Sequence, residues 1–249
     1  MAGHFEERAV GFLDVLGFKQ LINEAEASPA GLDKLIGLRG VLDDHVLRDN
    51  DGIAKTVPDE LKPKYIFVSD SIILSVPLHH SHSNLADGLE IVALKAIQVA
   101  QKIIELGHLV RGGISIGNVW HDDRNIFGTG FVDAYQTEQR AAHPRVLLSS
   151  EATNVWQKPS GVRGKLCIAD GGDLILDIFH TYYLRHTRQD LPYEGYFQAF
   201  RDRMLANLQT MPLGSPERSK WEWMVGFFND ALIRHSITVP PLQALPIPL

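Results

Sequence analysis

Two apolar runs, each carrying a single carboxylate, constrain this chain more than any other feature. Ala9 to Lys19 reads AVGFLDVLGFK, and Tyr65 to Pro77 reads YIFVSDSIILSVP. The first predicts a strand over residues 7–15 with little alternation, the pattern of a central strand covered on both faces. Asp14 lies inside it, and Asp70 lies inside the second run. A carboxylate in an apolar strand costs on the order of several kcal/mol unless it is paired, hydrogen-bonded or bound to a cation. Two such acids in one small domain point to a shared cation.

The rest of the chain supplies the frame for those strands. Gly17 breaks the first run, and Phe18, Leu21, Ile22 and Ala25 then recur at helical spacing. Ser28-Pro29 is an N-cap followed by proline at the first helical position, opening a second helix striped by Leu35, Leu38, Leu42 and Val46. Residues 64–77 read as two strands joined by a tight turn at Ser69-Asp70-Ser71, or alternatively as one long strand. Leu85, Leu89, Val92, Ala96, Val99, Ile103 and Leu106 define a long amphipathic helix that Gly107 ends. LVRGGISIGNV (109–119) is the next strand, with glycines where another backbone or a ligand can come close. A helix over about 131–142 and a short strand at 146–148 follow. The order β-α-(α)-β-β-α-β-α-β predicts an α+β fold: a ferredoxin-like βαββαβ antiparallel sheet with helices on one face. Residues 1–150 form this core. Residues 151–249 read as a mainly helical extension packed on it, with a brief strand at 174–179 and helices near 193–210 and 216–235.

Composition narrows the function classes. With 249 residues, 45% hydrophobic and 22% charged, the chain can bury a sizeable core. A formal net charge of −6 offers no broad surface for nucleic acid or an anionic membrane. No apolar run reaches the roughly 18 residues of a membrane helix, and the N-terminus lacks a signal-peptide layout. Cys167 is the only cysteine, so neither an intrachain disulfide nor a cysteine zinc cage can form. These features predict a soluble cytoplasmic protein.

In such a sheet Asp14 and Asp70 come from neighbouring strands and can approach one another. Their oxygens, with the backbone carbonyl of Val15, suit Mg²⁺ or Mn²⁺ carried in with a polyphosphate. The helix after Gly17 begins with the N–H groups of Phe18 and Lys19, which could receive phosphate oxygens. The alternative, in which each Asp caps a turn or helix, stays open. His79-His80-x-His82 is read as a solvated loop and His121-Asp122 as turn chemistry.

FLDVLGF resembles the F-x-D-I-x-G-F signature of class III nucleotidyl cyclases, and VSDSIILS resembles the hairpin that holds that family's second metal aspartate. RGGISIGNVW, FGTGFVDAY and RVLLSS resemble its later strand, helix and closing strand, in order, from about residue 9 to 150. Within the superfamily the sequence is most similar to the bacterial pyrimidine cyclases of Pycsar anti-phage defence. The resemblance implies a cyclase of UTP, favoured over CTP, that releases diphosphate and makes a 3′,5′-cyclic monophosphate for a separate effector. It further implies a homodimer with sites at the interface and two Mn²⁺ or Mg²⁺ ions held by Asp14, Asp70 and the Val15 carbonyl. Phe18 and Lys19 match its phosphate-binding turn.

The departures concern the base and the transition state. Purine-specific members carry Lys or Glu four residues before the second metal aspartate; Ile66 stands there, beside Tyr65, so purine readout of that kind is absent. The family's Asn/Arg pair falls on Val132 and Gln136, which do not fit. Gln136 and Arg140, four apart on one helix face, are the substitute candidates, and Arg111 either contacts substrate or braces the interface. A cyclase-like domain that binds nucleotide without turning it over is the alternative reading.

Overall fold

The computed structural model describes residues 4–43, 61–79, 87–157, 165–181 and 192–243. Its centre is the acid-bearing strand β1 (Glu6–Leu16), which is paired along both edges. On one side lies β3 (Ser71–Pro77), antiparallel from Arg8↔Pro77 to Asp14↔Ser71. On the other lies β4 (Leu109–His121), antiparallel from Glu6↔Val119 to Leu16↔Leu109. The strand β2 (Lys64–Val68) pairs antiparallel with β3, so the run from 64 to 77 is a hairpin rather than one strand. Ser69, at the tip, has φ 57°, the left-handed backbone of a tight two-residue turn. The order β2-β3-β1-β4 is ferredoxin-like.

The sheet then continues where sequence periodicity was weak. β6 (Val146–Leu148) joins β4 in parallel, and β8 (Asp173–Leu176) and β7 (Cys167–Asp170) follow it antiparallel. Among the described residues the sheet has eight strands, the short β5 (Ile126–Phe127) pairing back onto β4. Thus the sheet is mixed, not wholly antiparallel.

Side chains alternate across β1, and the two faces are covered differently. Ala9, Leu13 and Val15 point into the main core with α3 (Gly88–Glu105), and a Cβ at Gly11 would touch Val92 of that helix. Val10 and Phe12 point the other way, into a second cluster with Ala134 and Phe131 of α4 (Thr129–Gln139). The expectation of helices on one face is therefore corrected: α4 lies on the face opposite α3. Gly113 and Gly117 make this possible, since an added Cβ would lie 2.2 Å from the Ala134 carbonyl oxygen and 2.7 Å from the Gly130 nitrogen. The glycines of RGGISIGNV are where a helix backbone meets the strand.

After β1 the described residues form two helices, α1 (Phe18–Ala27) and α2 (Pro29–Asp43). Ser28 accepts the Gly31 N–H at 3.1 Å, with Pro29 opening α2. A short helix, α5 (Ser150–Trp156), follows β6. The last described helices, α6 (Tyr193–Thr210) and α7 (Pro216–Arg234), cover the outer side of α3. Phe179, Phe197, Phe200 and Phe228 interlock there with ring centroids 5.2–6.4 Å apart. That cover explains why α3 is buried almost all round although its sequence reads as amphipathic. Among the described residues no helix is long and apolar enough to cross a membrane.

Candidate metal and phosphate site

Asp14 belongs to the α4 face of β1, in register with Ser71 of β3 and Arg111 of β4. Asp70 occupies the tip of the adjacent hairpin, next to Ser71, the register partner of Asp14, and its carboxylate helps raise the Asp14 carboxyl. Ser71 Oγ also donates to Asp14, at a long 3.5 Å. The backbone ties the two acids further, since the Val15 N–H donates to the Asp70 carbonyl at 3.0 Å. Because N–H and C=O of one strand residue point the same way, the Val15 carbonyl turns toward the hairpin tip as well.

The electrostatics are those of a site short of positive charge. Burial, and then the neighbouring Asp70 and Glu138, raise the Asp14 carboxyl to about 6, while Arg111 pulls it down. Arg111 is committed elsewhere: its Nε donates to Glu138 of α4, and Nη1 lies 3.4 Å from the Ala141 carbonyl. The Glu138 side chain has no exposed surface and also receives Gln139 Nε2 at 2.5 Å. The buried ion pair therefore fixes Arg111 beside Asp14 without neutralising the carboxylate pair. Sequence reasoning passed over Glu138; its spacing of four from the sheet-facing Ala134 was the available signal.

After Leu16 the chain turns at Gly17, φ 82°, a left-handed conformation that a side chain would strain. Gly17 is the N-cap residue of α1, and no side chain caps it. The Gly17 carbonyl accepts the Gln20 and Leu21 N–H groups, so those of Phe18 and Lys19 stand at the open end of the helix.

The remaining predicted residues divide. Ile66 faces the same side as Asp14 and lines a cleft of about 460 Å³ with Ile73, Trp120, Phe127 and Phe131. Tyr65 alternates to the opposite face and packs into the main core, its hydroxyl buried with no hydrogen-bond partner among the described residues. Gln136 and Arg140 are exposed; Ala134, Thr137 and Glu138 are the α4 residues turned to the sheet. Among the described residues nothing brings Gln136 or Arg140 to Asp14. His79 is exposed, 3.8 Å from Glu7, and His80 and His82 lie outside the described residues. Asp122 accepts the Arg124 and Asn125 N–H groups at 2.8 and 2.7 Å, the turn chemistry its sequence suggested. His121 is buried, with Nδ1 2.7 Å from Ser75 Oγ.

The donor set fits a hard divalent cation: two carboxylates and a backbone carbonyl, with a raised carboxyl that bound positive charge would relieve. Among the described residues no cluster of three or more His, Cys, Asp or Glu could hold a metal unaided. Remaining ligands would come from substrate oxygens and water.

Fold and site together define an α+β protein with a ferredoxin-like core and a carboxylate pair beside an open helix N-terminus. No family model matches the chain, and no curated protein does. Among the solved structures similar to it in part are the following three. A class III adenylyl cyclase-like ATP-binding protein from Pseudomonas aeruginosa is 11% identical with TM-score 0.41, over 60% of this chain and 34% of that one. An adenylate/guanylate cyclase/hydrolase from Silicibacter pomeroyi is 18% identical with TM-score 0.40, over 64% and 83%. The catalytic core of a rhodopsin-guanylyl cyclase with converted specificity, in complex with ATPalphaS, is 13% identical with TM-score 0.38, over 69% and 96%. This chain spans about a third of the first of these proteins. At such identities and scores nothing about reaction or ligand passes from them to this chain.

Proposed function

We propose that this protein is a nucleotidyl cyclase that converts a pyrimidine nucleoside triphosphate, UTP in preference to CTP, to its 3′,5′-cyclic monophosphate and diphosphate. The observation that carries this reading is the approach of Asp14 and Asp70 beside the open N-terminus of α1. Asp14, Asp70 and the Val15 carbonyl would hold Mg²⁺ or Mn²⁺, two ions in the full site. Bound there, the metal would lower the pKa of the ribose 3′-hydroxyl and offset charge on the α-phosphate. The Phe18 and Lys19 N–H groups, with the Lys19 ammonium, receive the terminal phosphates. This orients the diphosphate leaving group away from the 3′-oxygen as that oxygen bonds to the α-phosphorus. Glu138 holds Arg111 at the edge of the site, where its charge tempers Asp14.

The cleft beside Ile66 is apolar and suits the flat face of a base; Tyr65, buried on the other side of the sheet, takes no part. The missing purine-reading residue at Ile66 and the sequence resemblance to Pycsar cyclases support a pyrimidine. That resemblance alone supports anti-phage signalling through a separate effector. Gln136 and Arg140 stand exposed on α4 beside the apolar Val132 and Tyr135, 46% and 45% exposed. That exposed apolar surface is available to a second copy, and the homodimer itself rests on the sequence resemblance.

Incubating the purified protein with ATP, GTP, CTP or UTP and Mn²⁺, followed by mass spectrometry, tests the reading. Cyclic UMP is expected, and it should vanish in Asp70→Ala. Gln136 and Arg140, away from Asp14 of their own chain, favour a second reading, a nucleotide-binding regulator without turnover. Metal-dependent binding with no diphosphate release from any of the four nucleotides would select it.

A further inference from the structure

A second cavity, of about 790 Å³, lies where α1 and α2 meet the end of α3 and the helices α6 and α7. The cyclase reading uses only its edge at Gly17 and Lys19. Its wall carries Lys19, Lys34, Arg203 and Lys220 against two carboxylates, Glu24 and Glu217. That is a local excess of two positive charges in a chain of net charge −6. One carboxylate is already engaged, because Glu24 lies 3.5 Å from Lys34 Nζ and accepts from Gln20 Nε2 at 3.1 Å. Among the described residues no ion pair engages Lys19, Arg203 or Lys220.

His108 lines the same cavity as Glu24, Lys34 and Arg203; burial lowers its pKa, Glu24 opposes that effect, and Lys34 and Arg203 add to it. The Arg203 side chain passes close over Gly107: its Cδ lies 3.2 Å from where a Cβ there would stand. The next turn of the same helix is pinned by Asn207, whose Nδ2 donates to the Gly107 carbonyl at 2.9 Å. Behind the charges lies an apolar wall of Leu16, Leu21, Leu38 and the indole of Trp221, which is 4% exposed.

We infer that this cavity binds a small phosphate-bearing molecule, with Arg203 and Lys220 on the phosphate and the Trp221 wall against the rest. Its volume falls within the range of small-molecule sites, and its composition, an apolar wall with a few cations, is theirs too. Gly17 and Lys19 line it as well, so an occupant bears on the turn that opens α1. The regulatory consequence rests on the function proposed above; the binding does not.

Inorganic diphosphate and UMP, each titrated in EDTA, are the probes, followed by tryptophan fluorescence and calorimetry. Removing divalent metal silences the carboxylate site. Saturable binding at one site per chain is expected for both probes. Arg203→Glu/Lys220→Glu should weaken it about tenfold or more, and Arg203→Gln/Lys220→Gln by a smaller factor in the same direction. Asp14→Asn should leave it unchanged. Arg203 is exposed and Lys220 half-buried, so the variants should melt with the wild type. Equal affinity in wild type and both double variants would overturn the assignment, as would failure of both probes to saturate the wild type. Loss of turnover in the cyclase assay has no bearing on either outcome, which keeps the two readings separable.

Discussion

Asp14→Asn should stabilise the metal-free protein while abolishing its chemistry. In the folded chain burial and Asp70 raise the Asp14 carboxyl from 3.8 to about 6. That difference is equivalent to about 3 kcal/mol against the ionised form. Because Asp14 is only half-buried, solvent screening reduces the usable figure to about 1.5 kcal/mol. The sign follows from proton binding. The folded state holds the Asp14 proton to higher pH than the unfolded chain, so stability is lost as pH rises from about 4 to 6. Above that window the wild type carries the full cost, and an uncharged amide carries none. For a chain of this length about 1.5 kcal/mol shifts the melting midpoint by about 3–6 °C. Thermal melts in EDTA at pH 8 should therefore place Asp14→Asn above the wild type, with the gap narrowing as pH falls below 6. Saturating Mn²⁺ should reverse the ranking, because the wild type alone gains stability from the bound ion. An Asn variant that melts at or below the wild type at pH 8 without metal would refute the account of Asp14 as a strained, charge-deficient group.

Two further substitutions test the frame around the site. Gly113→Ala places a Cβ 2.2 Å from the Ala134 oxygen and 2.5 Å from the Glu138 nitrogen. Both are backbone, so α4 must lift from the sheet at a cost of about 3 kcal/mol, read as a lower urea midpoint; an unchanged midpoint would mean that α4 does not seat there. Asp177, 1% exposed, holds the end of α7 through Arg234 Nη2 at 3.0 Å and His235 Nε2 at 2.8 Å. Burial alone would raise its carboxyl, but His235 and Arg234 outweigh that and hold it below the ordinary value. The stability it supplies is present above pH ~4 and fades in more acid solution. Asp177→Ala should cost about 3 kcal/mol at neutral pH by leaving Arg234 unpaired, and its acid melting curve should lack the corresponding step.

Each level of the molecule was legible in the sequence to a different depth. The unbroken apolar run around Asp14 named a central strand because only a strand paired on both edges buries such a run, and the order of elements then fixed the β2-β3-β1-β4 arrangement. The two acids announced themselves because charge in an apolar strand demands compensation. Ser28-Pro29 and Gly17 declared helix ends by backbone chemistry that neighbours do not alter. The sequence places strand β8 late, at 174–179 rather than Asp173–Leu176, while β7, four residues before the Gly171-Gly172 turn, carries too little periodicity to be read alone; pairing with β8 is what makes it a strand. Which face Tyr65 takes depended on register: one residue's difference from Ile66 sends it to the opposite side of the sheet. That α4 would cover the Asp14 face, and that Glu138 would meet Arg111, rested on close packing at Gly113 and Gly117. The cavity under α6 and α7 joins residues as far apart as Leu16 and Trp221. Local sequence determines backbone preference and the presence of buried charge. What meets what across a sheet or between helices is decided only when the whole core closes, because those contacts exist in no segment by itself.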